Sequence, residues 1–293
     1  MRNINDTPGY RVFNAINMLF LSVLAVVCLL PIVHIFAVSL SSQGPANANL
    51  VGLWPVGFTV MAYQESLRDM RLLRSVLMSV RRVAIGVPLN MLLTTLCAFP
   101  LSFEKGEFPG RNVYMWVIFF TMLFSGGLIP YYMLVNMIGI MDTVWALVLP
   151  GISVFNVIVM MNFMRQLPHE LRESGMIDGA SYHWVLIRII IPLSMPVFAT
   201  LVLFSFVGHW NSWFDGLIYT RTMLNYPLQT YIQTLVARMN TSPDLEEAKR
   251  LAFIARRSML FAKLFLAMVP IMILYPYLQK YYQSGLVLGS VKG

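Results

Sequence analysis

Charged residues are scarce in this 293-residue chain. Only 12% are Asp, Glu, Lys or Arg, against about 25% in a typical soluble domain, and 58% are hydrophobic. That balance excludes an ordinary soluble protein and points to a membrane. Cysteine is nearly absent. Cys28 and Cys97 both fall inside apolar stretches, which excludes a disulfide framework and predicts two small buried hydrophobes. The four histidines (His34, His169, His183 and His209) have no ligand spacing, so no metal site is expected. None of the five lysines is followed by Ser or Thr, and no G-x-x-x-x-G-K-[ST] occurs. The chain therefore carries no P-loop for nucleotide hydrolysis. Acidic residues number 13 against 21 basic ones, a formal charge of +8, which suits anionic lipid, an acidic partner or an acidic solute. The basic residues are dispersed among apolar spans and form no single patch, which argues against nucleic acid.

What is present in quantity is long apolar sequence. Runs of roughly 20 residues are long enough to cross the hydrocarbon core as helices. Six occur, at about 18–40, 83–102, 113–135, 143–164, 193–219 and 259–281. The expected fold is an all-α integral membrane protein with six transmembrane helices over 18–281, an N-terminal segment 1–17 and a C-terminal tail 282–293. The first run follows Arg2 and Arg11, but it is too long for the apolar region of a signal peptide and has Pro31 in its middle. Pro88, Gly126, Pro130, Pro150 and Pro270 also interrupt the runs; such breaks are tolerated where neighbouring helices satisfy the freed backbone groups. Charge does not settle the orientation. With both ends inside, nine of the 21 Lys and Arg residues fall on the inner side, which the positive-inside rule does not favour.

One polar insert stands out: Glu173 to Pro196, ESGMIDGASYHWVLIRIIIPLSMP. Pro168 can occupy the first turn of a helix, with Glu170 and Glu173 favourably placed toward its positive end. Asp178-Gly179 reads as a stop, because glycine takes the left-handed cap conformation without penalty. Ser181 can cap a second helix over 182–191, which Pro192 would end. An amphipathic helix lying at the membrane interface accounts for the same residues.

This insert resembles the cytoplasmic "EAA" loop of ABC importer permeases, whose pattern is Glu-Ala-Ala, a later Gly and a late Pro. Glu173, Gly179, Ala180 and Pro192 match it, while Ser174 and Gly175 replace the two alanines. Both replacements are small, so close docking on a partner is still expected. Leu53-Trp54-Pro55, the run Phe124 to Pro130, Trp145-Ala146-Leu147 with Pro150-Gly151, Asn162-Phe163 and the C-terminal Gly289 to Gly293 are similar to MalG-like carbohydrate importer permeases. The subgroup is the one that handles polysaccharide fragments, and the narrowest match is to the second permease subunit of bacterial alginate importers.

The resemblance implies a permease subunit, not an enzyme, in the bacterial cytoplasmic membrane. It implies import of oligosaccharides, acidic ones such as alginate fragments among them. The implied partners are a second permease subunit, two ATPase subunits that bind ATP and Mg, and an extracytoplasmic solute-binding protein. This chain itself would hold no cofactor and no metal. The coupling loop, about 165–192, would face the cytoplasm, which puts both termini inside and 220–258 outside. ATPase contacts would fall on Glu173, Ser174, Gly175, Asp178, Gly179, Ala180, Pro192 and, in the tail, Lys292. The alternative for that tail is a frayed end.

Two features are candidates for the solute path. Arg81-Arg82 stands at the edge of the second run, where an arginine must snorkel to headgroups or face a wet cavity; an acidic sugar would give it a purpose. Trp210, Asn211, Trp213 and Asp215 mix aromatic faces with polar groups inside the fifth run. That mixture suits sugar rings, or equally an interfacial aromatic belt. Two other functions share this composition: a permease for a non-sugar solute, and a membrane transferase acting on lipid-linked sugars. The transferase would need an acidic cluster, for which Asp244, Glu246 and Glu247 are the candidates.

Overall fold

The computed structural model describes residues 8–104, 106–151, 153–240 and 257–290. Among the described residues the regular secondary structure is helical, apart from one isolated antiparallel bridge between Ser41 and Phe58. The helices are, in order, α1 (Pro8–Ser39), α2 (Gln43–Asn47), α3 (Met61–Arg68), α4 (Met70–Leu101), α5 (Arg111–Leu123), α6 (Leu128–Ile138), α7 (Val144–Val148) and α8 (Val154–Gln166). They continue with α9 (Glu170–Ile177), α10 (Tyr182–Val185), α11 (Ile191–Leu193), α12 (Met195–Asn211), α13 (Phe214–Tyr219), α14 (Leu228–Asn240) and α15 (Arg257–Ser290).

The chain divides into two compact units, Met1–Leu72 with Leu235–Val269, and Leu73–Thr234 with Pro270–Gly293. In the first, α1 buries only its last residues, Ala37, Val38 and Ser39. Its remaining apolar surface faces outward, as lipid-facing surface does. The Ser41 hydroxyl donates to Ala37 O and accepts from the Val56 N–H at 3.0 Å, pinning the chain that leaves α1. A small core of Ala37, Val38, Ala46 and Val51 packs with Phe261. Lys263 forms an ion pair with Asp69.

In the second unit the main core gathers methionines and aliphatics from α4, α8, the α10–α11 segment and α12; Met160, Met164, Ile190 and Leu201 are among its most buried members. Helix α4 inverts the pattern of a soluble helix. Ser75, Ser79, Arg82, Asn90 and Thr94 are buried, whereas Leu73, Leu77, Val80, Leu92 and Leu96 are exposed. The buried set is spaced by three, four or eight residues, which keeps it on one stripe of the helix. In a bilayer, lipid satisfies leucine, so polar and small residues gather at helix contacts.

Among the described residues three helices are long and apolar enough to cross a membrane alone: Pro8–Ser39, Met70–Leu101 and Arg257–Tyr277. Three bent pairs bring the number to six if each is one span. The protein is thus an all-α membrane protein, but half of the expected straight spans are broken. Arg111–Leu123 and Leu128–Ile138 meet at 110° across Phe124 to Gly127, where Gly127 takes φ +83°. Tyr182–Leu193 and Met195–Asn211 meet at 84° at Ser194, between Pro192 and Pro196. Proline and glycine supply the kinks, as expected for helix breaks of this size.

Several expectations change in detail. The second span begins at Met70, so Arg81-Arg82 lies well inside the helix instead of at its edge. The fifth stops at Asn211, and Phe214–Tyr219 is a separate short helix. The segment after Thr220 holds α14, whose Leu228, Thr230 and Ile232 are buried. Helix α15 continues through 281 to Ser290. Cys28 and Cys97 are free but exposed, because in membrane helices the surface is as apolar as the core. Asp244, Glu246, Glu247 and Lys292 lie outside the described residues.

Candidate functional site

The polar stripe of α4 meets the end of α12 and the start of α13. There Arg82 Nη1 donates to Asp215 Oδ1 at 3.2 Å, and Nη2 donates to Asp215 Oδ2, a two-pronged ion pair. The side chains of Arg82 and Asp215 are 3% and 21% exposed. Asp215 Oδ1 also accepts from the Ser212 hydroxyl and the Gly216 N–H, each at 2.8 Å. A buried arginine with its planar fork matched to a carboxylate is the geometry in which such a pair holds. Taking away one partner of a buried pair typically costs about 3–5 kcal/mol.

His209, on α12, completes the group. Its Nδ1 faces the Arg82 Nε–H at 3.5 Å. The ring is wedged between two glycines: a Cβ on Gly86 of α4 would stand 2.7 Å from His209 Nε2, and one on Gly151 would stand 2.8 Å from Cε1. Gly151 is held in turn, its carbonyl accepting from Asn90 Nδ2 at 2.9 Å. The glycines are thus the receiving surface for an imidazole.

Arg82, Asn90, Gly151, His209, Ser212 and Asp215 line a cavity of about 920 Å³. Arg82, Asp215, Asn90, Asn156, Tyr131 and Ser212 give it polar walls, and Leu128, Phe155, Leu203 and Phe204 apolar ones. That volume lies near the top of the range for small-molecule sites, about 300–1,000 Å³. Of the residues singled out from sequence, Arg82 and Asp215 meet here. Arg81 is exposed on α4. Trp210 is buried and stacks on Phe206 with ring centroids 5.9 Å apart. Asn211 and Trp213 are exposed. None of these four is among the cavity's lining residues. Asn90 and Asn156 are not among the residues singled out from sequence; the signal available for Asn90 is its place in the polar stripe of α4.

The polar insert forms an elbow of two short helices. Helix α9 starts at Glu170, two residues after Pro168, which stays outside it. It ends at Ile177, and Gly179 takes φ +82°. The Gly179 N–H donates to Met176 O and the Ala180 N–H to Gly175 O, both at 3.0 Å, the paired bonds of a Schellman cap. Ser181 caps α10, its hydroxyl accepting from the Trp184 N–H. Pro192 does not end this helix. A π-helical run, Leu186–Ile190, precedes it and the chain stays helical to Leu193.

Glu173, Ser174, Asp178, Gly179 and Pro192 are exposed and Ala180 is half-buried, whereas Gly175 is buried. A Cβ on Gly175 would lie 3.2 Å from Val185 Cγ2, so its smallness serves the contact inside the elbow. Arg172 is buried with its guanidinium 4.8 Å above the Phe103 ring, which fastens α9 to the end of α4. Met176, Ile177, Tyr182 and Trp184 are exposed, Ile177 to 84%. Among the described residues no cluster of three or more His, Cys, Asp or Glu side chains is arranged to hold a metal.

Comparison with known proteins agrees with this architecture. The chain is 36% identical over 294 residues to Protein LplC of Bacillus subtilis (strain 168), covering 100% of this chain and 99% of that protein. It is 33% identical over 285 residues to the polygalacturonan/rhamnogalacturonan transport system permease protein YtcP of the same organism, covering 97% and 99%. The crystal structure of a bacterial ABC transporter involved in the import of the acidic polysaccharide alginate contains a similar chain. Its TM-score is 0.83 at 27% identity, over 94% of this chain and 98% of that one. Residues 56–287 match the model of the binding-protein-dependent transport system inner membrane components, and this chain belongs to that family.

Proposed function

We propose that the chain is the transmembrane permease subunit of a carbohydrate ABC importer that moves oligosaccharides into the cytoplasm, acidic ones such as alginate or pectin fragments among them. The observation that carries the reading is the polar-walled cavity of about 920 Å³ between membrane-embedded helices, in a chain that aligns end to end with a permease named for polygalacturonan and rhamnogalacturonan transport. Energy would enter from outside the chain, since its sequence has no P-loop. The partners of this reading are a second permease, two ATPase subunits carrying ATP and Mg, and an extracytoplasmic binding protein, assembled at a bacterial inner membrane.

In this reading the α9–α11 elbow is the part that the ATPase moves. Its exposed Met176, Ile177, Tyr182 and Trp184, beside Glu173 and Asp178, offer an apolar patch with an acidic edge for docking. Lys292 would reach toward the same partner. The elbow runs through the 84° bend into α12, and α12 ends beside the cavity with His209. Displacement of the elbow would therefore reach the cavity wall along one helix. The elbow would face the cytoplasm, placing both termini on that side.

The test is reconstitution of the complete complex with its ATPase and binding protein. Oligouronates should stimulate ATP hydrolysis and enter the vesicles. A complex stimulated by inorganic anions or peptides and by no oligosaccharide would overturn the sugar assignment.

A further inference from the structure

Arg82 and Asp215 are the guanidinium and the carboxylate among the cavity's lining residues, and they are bound to each other. Arg82 directs Nη1 and Nη2 at Asp215, its Nε at His209, and Nη1 also toward Ser212 O at 3.5 Å. Asp215 is kept in that position by Ser212 and Gly216 as well, so its hold on Arg82 is built into the turn between α12 and α13. Among the described residues the cavity thus carries an arginine but offers no free cation. Arg81, the neighbouring charge, is exposed and does not line it.

We propose that Asp215 is a specificity-determining residue of the solute path: its carboxylate occupies Arg82 and prevents the cavity from trapping anionic sugars. The inference rests on the import reading and deepens it. A free guanidinium in a low-dielectric cavity attracts a carboxylate strongly and binds it through two charge-assisted hydrogen bonds. Conduction demands the opposite, because a solute must be held weakly enough to leave. With Asp215 in place, acidic and neutral sugars meet an already neutralised pair, and both can pass.

The experiment uses the complete complex and two probes of equal length, an oligogalacturonate and its methyl ester, which differ in charge. In the solubilised complex without binding protein, Asp215→Asn is expected to tighten binding of the acid about tenfold or more, roughly one charged hydrogen bond, and to leave the ester unchanged. In proteoliposomes the same variant should lower both KM and kcat for the acid. Asp215→Glu keeps the negative charge beside Arg82 and should bind the acid more weakly than Asp215→Asn does. Unchanged or weaker acid binding in Asp215→Asn overturns the proposal.

Should Asp215→Asn fail to assemble, the uncharged pair Arg82→Gln/Asp215→Asn decides. Wild-type discrimination between acid and ester supports the proposal, and selective loss of the acid overturns it by showing that Arg82 already held the solute. A wild-type complex that imports neither sugar sinks the import reading for these sugars, while the binding measurements still judge Asp215.

Discussion

Gly175 stands so close to Val185 that a Cβ on the glycine would lie 3.2 Å from the valine Cγ2, and 3.3 Å from Ile189 Cδ1. The small residue at this position of the elbow therefore joins α9 to the π-helical segment that follows α10.

A methyl group there displaces its neighbours by only a few tenths of an ångström and brings a helix-propensity gain of about 1 kcal/mol over glycine. Gly175→Ala is expected to stay within about 1 kcal/mol of the wild type in thermal unfolding. Gly175→Leu has no such room and should part α9 from Val185, with solute-stimulated ATP hydrolysis reduced at least tenfold, as an order-of-magnitude expectation. Full stimulation in the leucine variant would show that the elbow does not transmit force through this contact.

Gly179 separates the two arms of the elbow. At φ +82° any L-residue is strained, and Gly179→Ala should cost about 1–2 kcal/mol. Proline is worse, since its φ is locked near −65° and it removes the N–H that bonds Met176 O. Gly179→Pro is expected to insert into the membrane at normal levels and to abolish transport. Wild-type stimulated ATPase activity in that variant would remove the elbow from the mechanism.

The His209 wedge gives a double-mutant test. Gly86→Ala places a methyl 2.7 Å from the imidazole, with no flexible chain end to yield, and should destabilise by about 1–3 kcal/mol as an overpacked core does. Adding His209→Ala should return part of that loss. Additive effects of the two changes, measured by thermal unfolding in detergent, would mean that ring and glycine do not share one space.

Outside the membrane-spanning segments, Asp142 joins the α6–α7 turn to the chain after α13. Burial raises its pKa, but hydrogen bonds from the Thr222 hydroxyl, Asn225 and the backbone N–H groups of Thr222 and Arg221 outweigh it and hold the carboxyl below its ordinary value. A depressed folded-state pKa stabilises the fold above the unfolded-state value and ceases to do so as pH falls through the folded-state value. Asp142→Asn should therefore be less stable than the wild type at neutral pH, with the gap closing only in strongly acidic solution. A gap that closes already near pH 6 would assign the effect to another group.

Much of this organisation is legible in the residue order. The apolar runs implied a helical membrane protein, because only helices and closed barrels satisfy the backbone in lipid. The Asp178-Gly179 stop and the Ser181 cap were readable because their physics is local. Pro192 misled for the same reason: locally it ends a helix, whereas here a π-helical run before it keeps the helix going. The polar stripe of α4 was present in the residue order as well, but its meaning appears only when lipid is taken as the solvent and leucine is expected outside.

By itself, then, the amino-acid sequence determined the membrane class, the positions of the apolar runs, the absence of a P-loop and the two-helix elbow. Each follows from neighbours in the chain or from transfer into lipid. Tertiary structure alone decided that Arg82 is neutralised by a residue 133 positions away, that His209 rests on two glycines from different segments, and that Gly175 faces inward. Those are consequences of helix packing, and no local rule states which partner a buried charge will find.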